Sequence, residues 1–192
     1  MVSHPVAKLV ERAQTGARRR QRVTTVMVSE VERRTREILA RLIGFDTTSH
    51  KSNLELIAYI EALLVEAGVG FRRIPDPVLP KASLWVTIGP ADKPGYVLSG
   101  HTDVVPVVGQ PWTFDPFTLT ERGSRLYGRG TTDMKGFVAV CLALLPAMRD
   151  AKLNIPLHLA ISYDEEVGCT GVVPMLHELR KLPVKPLGCF VG

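Results

Sequence analysis

Residues 155–171 read "IPLHLAISYDEEVGCTG". Leu157, Leu159, Ala160 and Ile161 make a short apolar stretch bounded by Pro156 on one side and by acids on the other. A run of that length without strict polar alternation is the pattern of a strand buried on both faces. It ends abruptly at Asp164, Glu165 and Glu166. Two related endings lie upstream: "GYVLSG" at 95–100 runs into His101 and Asp103, and "GRGTTDMKG" at 128–136 places Asp133 just before a long apolar segment. In open α/β sheets, ligands bind beyond the carboxyl ends of strands. The three polar segments are therefore candidate walls of one site.

The surrounding pattern supplies the sheet and its helices. Ser29 with Glu32 has the spacing of a capping box, and Val31, Ile38, Leu39, Leu42 and Ile43 then share one helical face that closes at Gly44. Ser52 with Glu55 repeats the signal, and Leu54, Ile57, Ala58, Leu64 and Ala67 predict a second helix ending at Gly68. "VGFRRI", "SLWVTIG" and "GYVLSG" read as strands, and "FTLTERGSRLYG" as a hairpin turning at Gly123 and Ser124. A helix is expected from near Asp133 through "FVAVCLALLPAM". "GVVPMLHELRK" predicts a short helix, and "LGCFVG" a further strand. This late alternation of helix and strand points to an α/β fold with helices packed on a sheet.

Composition narrows the class. The chain has 192 residues, 45% hydrophobic and 22% charged, which suits a globular domain with a sizeable core. The longest apolar run, "FVAVCLALLPAM", is too short to cross a membrane and contains Pro146, so no membrane role is expected. Net charge is +5. Residues 1–28 hold six Lys and Arg (Lys8, Arg12, Arg18, Arg19, Arg20 and Arg22) against the single acid Glu11, which accounts for the whole excess. The remainder is neutral, so no nucleic-acid partner is expected. The expectation for 1–28 is a disordered basic tail; an organelle transit peptide and a true start at Met27 are the alternatives. The cysteines Cys141, Cys169 and Cys189 are odd in number and widely spaced, which fits reduced thiols in the cytoplasm.

Each polar segment has two readings on its own. His101 and Asp103 are two apart and fall on one side of an extended chain, so the carboxylate can fix the imidazole of a metal-bound histidine. A strand cap followed by a turn would look the same. Asp133 suits a helix N-cap as well as a ligand. The glycines around it match neither phosphate-binding loop pattern. Asp164, Glu165 and Glu166 make either a solvated acidic turn or an acid cluster that needs a cation when buried. In the second case Glu166 binds a metal and Glu165 points elsewhere to move protons. One imidazole with several carboxylates suits Zn²⁺ or Co²⁺, with Mn²⁺ a further candidate. His4, His50, His158 and His177 belong to none of these segments and are taken as structural or exposed. Cys169 neighbours the acids with no expected partner, and Val108 has no assigned role.

"GHTDVVP", "PWTFDPF", "LYGRGTTDMKG" and "SYDEEVGCTG", in this order, resemble the dizinc amidohydrolase and metallopeptidase family. That family includes acetylornithine deacetylase, succinyl-diaminopimelate desuccinylase, aminoacylase and glutamate carboxypeptidases. "GRGTTDMKG" with "YDEEVGC" is most similar to the acetylornithine deacetylases, which act in arginine synthesis. The resemblance implies a partial catalytic domain of a zinc-exopeptidase-like fold, with a central mixed sheet flanked by helices. It implies two Zn²⁺ ions, with Co²⁺ as a substitute, and a small N-acyl amino acid as substrate. By it His101 holds the first metal, Asp133 bridges both and Glu166 holds the second. Glu165 is the general base that takes a proton from water and returns it to the leaving amine, while Asp103 orients His101. A desuccinylase or another N-acyl amino acid hydrolase is the nearest alternative; a non-catalytic binding module is the other.

The same resemblance sets an expectation for residues 29–192 as the N-terminal part of a catalytic domain. "GCFVG" is similar to the strand that leads, in the family, to a Gly-Glu-Pro motif whose Glu is a further metal ligand. A dimerisation domain and a late histidine ligand would follow, so the complete form is expected to be a homodimer. A chain of residues 1–192 is then expected to be a poor zinc enzyme by itself.

Overall fold

The computed structural model describes residues 29–192; the expectations for the tail lie outside the described residues. A five-stranded mixed sheet forms the centre, in the order β1 (Phe71–Pro75), β2 (Ala82–Ile88), β6 (Leu157–Ser162), β3 (Tyr96–His101), β7 (Gly188–Val191). β1, β2 and β6 are antiparallel neighbours, whereas β3 runs parallel to both β6 and β7. β4 (Thr120–Arg122) and β5 (Arg125–Tyr127) form the expected separate hairpin, closed by Gly123 and Ser124. β6 is the middle strand, and five of its six residues are buried. That position explains its continuous apolar sequence.

Helices cover the sheet unequally. On one face lie α1 (29–43), α2 (Leu54–Glu66) and α3 (Lys135–Ala143), and they share a large core with Leu84, Val86, Leu159 and Ile161. On the other face α5 (Val172–Leu179) packs Met175 against Ile74, Trp85, Val97 and Ala160, a much smaller cluster. The alternation of Leu84 and Val86 with Trp85, and of Leu159 and Ile161 with Ala160, divides the two clusters as the strand period requires. His158 is buried on the smaller side, stacked on Trp85, with Thr87 Oγ1 3.0 Å from its Nδ1. It is structural, as expected.

Several elements depart from the sequence pattern, each for a local reason. In α2 the buried residues are Leu56, Ile57, Ile60 and Leu64; Ala58 faces solvent. The face follows 57, 60, 64 and 67, the helical spacing toward the sheet. The second capping box does not form. Asn53 takes the N-cap position without a side-chain cap bond. Its amide is used across the fold instead, donating to the Ala82 carbonyl at 2.9 Å while its Oδ1 accepts the Ala82 N–H at 3.0 Å. The helix expected from Asp133 starts later, at Lys135, and breaks after Ala143 into α4 (Leu145–Asp150). Pro146 is the cause: it lacks an N–H and sits in the first turn of the new helix, where none is needed.

Candidate metal centre

The parallel strands β3 and β6 carry the site at their carboxyl ends. His101 is the last residue of β3, and residues 163–166 leave β6 beside it. The Thr102 N–H and Oγ1 both donate to the Ser162 carbonyl at 2.9 Å, so the two chain exits stay paired past the strands. Gly171 closes the turn that follows; a Cβ there would lie 1.9 Å from the Tyr163 carbonyl oxygen, so only glycine lets the chain return this close. Gly136 does the same for the loop carrying Asp133, since its Cβ would lie 2.3 Å from the Thr131 carbonyl oxygen.

Asp103 is the hub. It is 2% exposed and accepts four hydrogen bonds or contacts. The Glu165 N–H donates to Oδ1 at 3.1 Å and the Glu166 N–H to Oδ2 at 3.2 Å. The Ser49 hydroxyl donates to Oδ2 at 2.8 Å, and His101 Nδ1 lies 3.3 Å from Oδ1. Burial alone would raise its pKa, but the His101 contact, the Glu165 amide and the Ser49 hydroxyl hold it below the usual carboxylate range.

His101 is 3% exposed, and its Nδ1 is 3.0 Å from the Asp103 carbonyl oxygen. A carbonyl can only accept, so Nδ1 carries the proton and Nε2 is the free nitrogen. Nε2 faces acids: Asp133 Oδ1 at 3.1 Å and Glu165 Oε2 at 3.6 Å. Ligand atoms of His101, Glu165 and Glu166 all lie within 4.8 Å of one another. A neutral Nε2 lone pair cannot bond to a carboxylate oxygen; the arrangement needs a proton or a cation between them. With a proton, burial lowers the imidazole pKa, yet Asp103 and Asp133 outweigh burial and bring it to about 9. Glu166 is shifted up by burial first and then by the charges of Asp133, Asp103 and Glu165. Carboxylates crowded around one imidazole nitrogen are a donor set that fits a divalent cation of the zinc or cobalt type.

All five residues singled out in the sequence thus meet at one place. Asp133 does not cap α3: its side chain is 72% exposed and its partner is His101. The run 164–166 separates into parts. Asp164, 5% exposed, turns inward to the buried Lys81 ammonium, whereas the Glu165 side chain is 45% exposed at the site. Cys169 has a partner after all, its Sγ lying 3.6 Å from Glu165 Oε1. Ser49, Lys81 and Lys135 were not anticipated. Lys135 is 1% exposed and ties the start of α3 to the end of α1, donating to the Leu42 and Phe45 carbonyls at 2.9 and 2.8 Å. Burial lowers its pKa to about 8. A lone lysine within "TTDMKG" or before "ASLWVTIG" gives no sign of burial in the sequence.

The model of Peptidase family M20/M25/M40 matches residues 97–192, which include every residue of this cluster except Ser49 and Lys81. The chain belongs to that family. The acetylornithine deacetylase of Photorhabdus laumondii subsp. laumondii is 41% identical over 127 residues, covering 66% of this chain and 33% of that protein. That of Myxococcus xanthus is 39% identical over 141 residues, covering 71% of this chain and 36% of that protein. The chain therefore spans about a third of the length of the curated relatives it matches. Among solved structures, human carnosine dipeptidase 1 aligns with a TM-score of 0.68 at 24% identity over 82% of this chain and 37% of its own. An M20 family metallo-carboxypeptidase from Sulfolobus solfataricus aligns at 0.70 with 21% identity, over 82% of this chain and 36% of its own. Both share the fold.

Proposed function

We propose that this chain supplies part of a metal-dependent site that hydrolyses the amide bond of an N-acyl amino acid, N-acetyl-ornithine first among them. The observation that carries the proposal is the convergence of His101 Nε2, Asp133, Glu165 and Glu166 on one point above a buried, fully bonded Asp103. The relatives named acetylornithine deacetylase support the choice of substrate. His101 and Glu166 would each hold a metal ion, with Asp133 shared between two. Zn²⁺ fits this donor set, and Co²⁺ fits it as a substitute. When bound, such an ion supplies the Lewis acidity that polarises an amide carbonyl and makes water acidic enough to attack near neutral pH.

The chain's own residues do the rest. Asp103 holds the His101 tautomer and, by accepting both amides, sets the orientation of the two glutamates. Glu165 is the proton carrier. Its exposed carboxylate takes the proton released as the water oxygen bonds to the acyl carbon, then delivers it to the nitrogen as the C–N bond breaks. Carboxylate and free amine leave as products. Among the described residues no helix is long and apolar enough to cross a membrane, and the three free cysteines fit a reducing compartment such as the cytoplasm. The test is a panel of N-acyl amino acids, with N-acetyl-ornithine against N-succinyl-diaminopimelate, on a chain extended to the relatives' length and loaded with Zn²⁺. Preferred hydrolysis of the acetyl substrate is expected; preference for the succinyl substrate would move the assignment to a desuccinylase. Sedimentation of the same preparation tests the proposed homodimer.

A further inference from the structure

Beneath the acids lies one more cation that the site chemistry does not use. Lys81 precedes β2, is 7% exposed, and donates to both the Ser49 carbonyl and the Asp164 carboxylate. Its ammonium also sits 5.9 Å from the centre of the Tyr163 ring. Ser49 is itself 8% exposed and bonds Asp103, which receives the Glu165 and Glu166 amides. Two routes therefore run from Lys81 to the glutamate pair, one through Asp164 and one through Ser49 and Asp103. Asp164 has φ 53°, in the left-handed region that most residues other than glycine avoid and that aspartate enters more readily than most. Such a conformation persists only when its surroundings hold it. Here a buried ion pair does so at the residue that decides where Glu165 and Glu166 begin.

We infer that Lys81 and Ser49 are positioning residues of the site: Lys81 draws Asp164 out of the acid run, and Ser49 fixes the Asp103 carboxylate that receives both glutamate amides. Of the three consecutive acids, only Glu165 and Glu166 are then left to face His101, beside Asp133. Without Lys81, a third carboxylate stands beside the pair with no counter-charge, free to repel it or to compete for the metal. The consequence for metal rests on the proposed function; the consequence for backbone geometry does not.

Two measurements on the 192-residue chain separate them. In the first, without metal, the amide resonances of Glu165 and Glu166 are followed by NMR. In the second, Co²⁺ is titrated and its affinity and visible absorption spectrum are recorded. Lys81→Met and Ser49→Ala are each expected to shift both amide resonances and to weaken Co²⁺ binding about tenfold or more. Lys81→Met with Asp164→Asn removes both buried charges and is expected to restore the wild-type Co²⁺ spectrum, with affinity within about threefold. Should Lys81→Met fail to fold, Ser49→Ala, which loses one hydroxyl, and the double variant carry the test. A role confined to stability would lower the melting temperature but leave the resonances and the spectrum as in wild type, and that result overturns the inference. A double variant that folds but binds Co²⁺ far more weakly than wild type overturns the route through Asp164. Should the 192-residue chain take up no Co²⁺, the titration is run on the same variants in a chain extended to the relatives' length; no uptake there overturns the metal assignment, and the amide resonances then decide the positioning role alone.

Discussion

The site has a floor and a rim made in opposite ways. The floor is His101, Asp103, Ser49, Lys81 and Asp164, each at most 8% exposed and each bonded to at least one other member. The rim is Asp133 and Glu165, whose side chains are 72% and 45% exposed and meet only at the imidazole edge. Buried charges must find partners because an unpaired one costs several kcal/mol. Exposed carboxylates have water and need none. The floor therefore couples folding to site geometry, whereas the rim can be altered with little effect on the fold.

The largest effect that sharpens this contrast belongs to the rim. In a preparation that hydrolyses N-acetyl-ornithine, Glu165→Gln is expected to cut kcat about 10²–10⁴-fold while metal content and Tm stay unchanged. Elemental analysis beside the assay checks it, and retained turnover would remove Glu165 from its role. On the floor, Asp103→Ala is expected to cost about 3–5 kcal/mol in urea unfolding, because it strands the imidazole and two amides. A cost below about 1 kcal/mol would break the distinction between the two regions.

Next in size is a pH effect. His101 in the metal-free fold has a pKa of about 9 against 6.5 for a free imidazole. It is protonated in the folded state before it is in the unfolded one as pH falls. Its contribution is therefore complete below about 6.5 and is lost as pH rises through 9. Lys135 runs the other way: with a pKa lowered to about 8, it costs stability below 8 and that cost fades as pH rises toward 10.5. The difference between wild type and His101→Gln cancels the lysine. With chelator present, that difference is expected to shrink by up to about 3 kcal/mol between pH 6 and 10. A constant difference would show that the imidazole is not held protonated. The smallest effect is Asp133→Asn, which is expected to change unfolding free energy by less than about 0.5 kcal/mol while lowering metal uptake.

How far the sequence could be read depended on the kind of signal. β6 was legible because a strand at the middle of a sheet is mostly apolar on both sides, and Leu157, Leu159, Ala160 and Ile161 supply that pattern. The hairpin was legible from Gly123 and Ser124, since turn residues act through their own backbone. The capping box at Ser52 failed for the opposite reason. Asn53 had a better partner in Ala82, which lies 29 residues away. Asp133 by its own pattern suits a helix cap, the family resemblance makes it a ligand, and its position 3.1 Å from His101 Nε2, with Met134 at the cap, fits the second reading.

By itself the sequence determined the class of chemistry. One histidine and four acids, His101 with Asp103, Asp164, Glu165 and Glu166, stand at the ends of apolar strands, and Asp133 stands just before a helix, because a sheet buried on both faces leaves only its ends for polar work. Local spacing made His101, Asp103, Asp133, Glu165 and Glu166 candidates, and the resemblance of their motifs to a metallohydrolase family selected the ligand reading over the bland one. The tertiary structure alone decided how three consecutive acids divide. Asp164 is sent down to Lys81, 83 residues earlier, and the two glutamates are sent up toward the imidazole. Adjacent carboxylates are chemically alike in a sequence. What separates them is which one meets a buried cation, and that partner is brought there only when β2 pairs with β6.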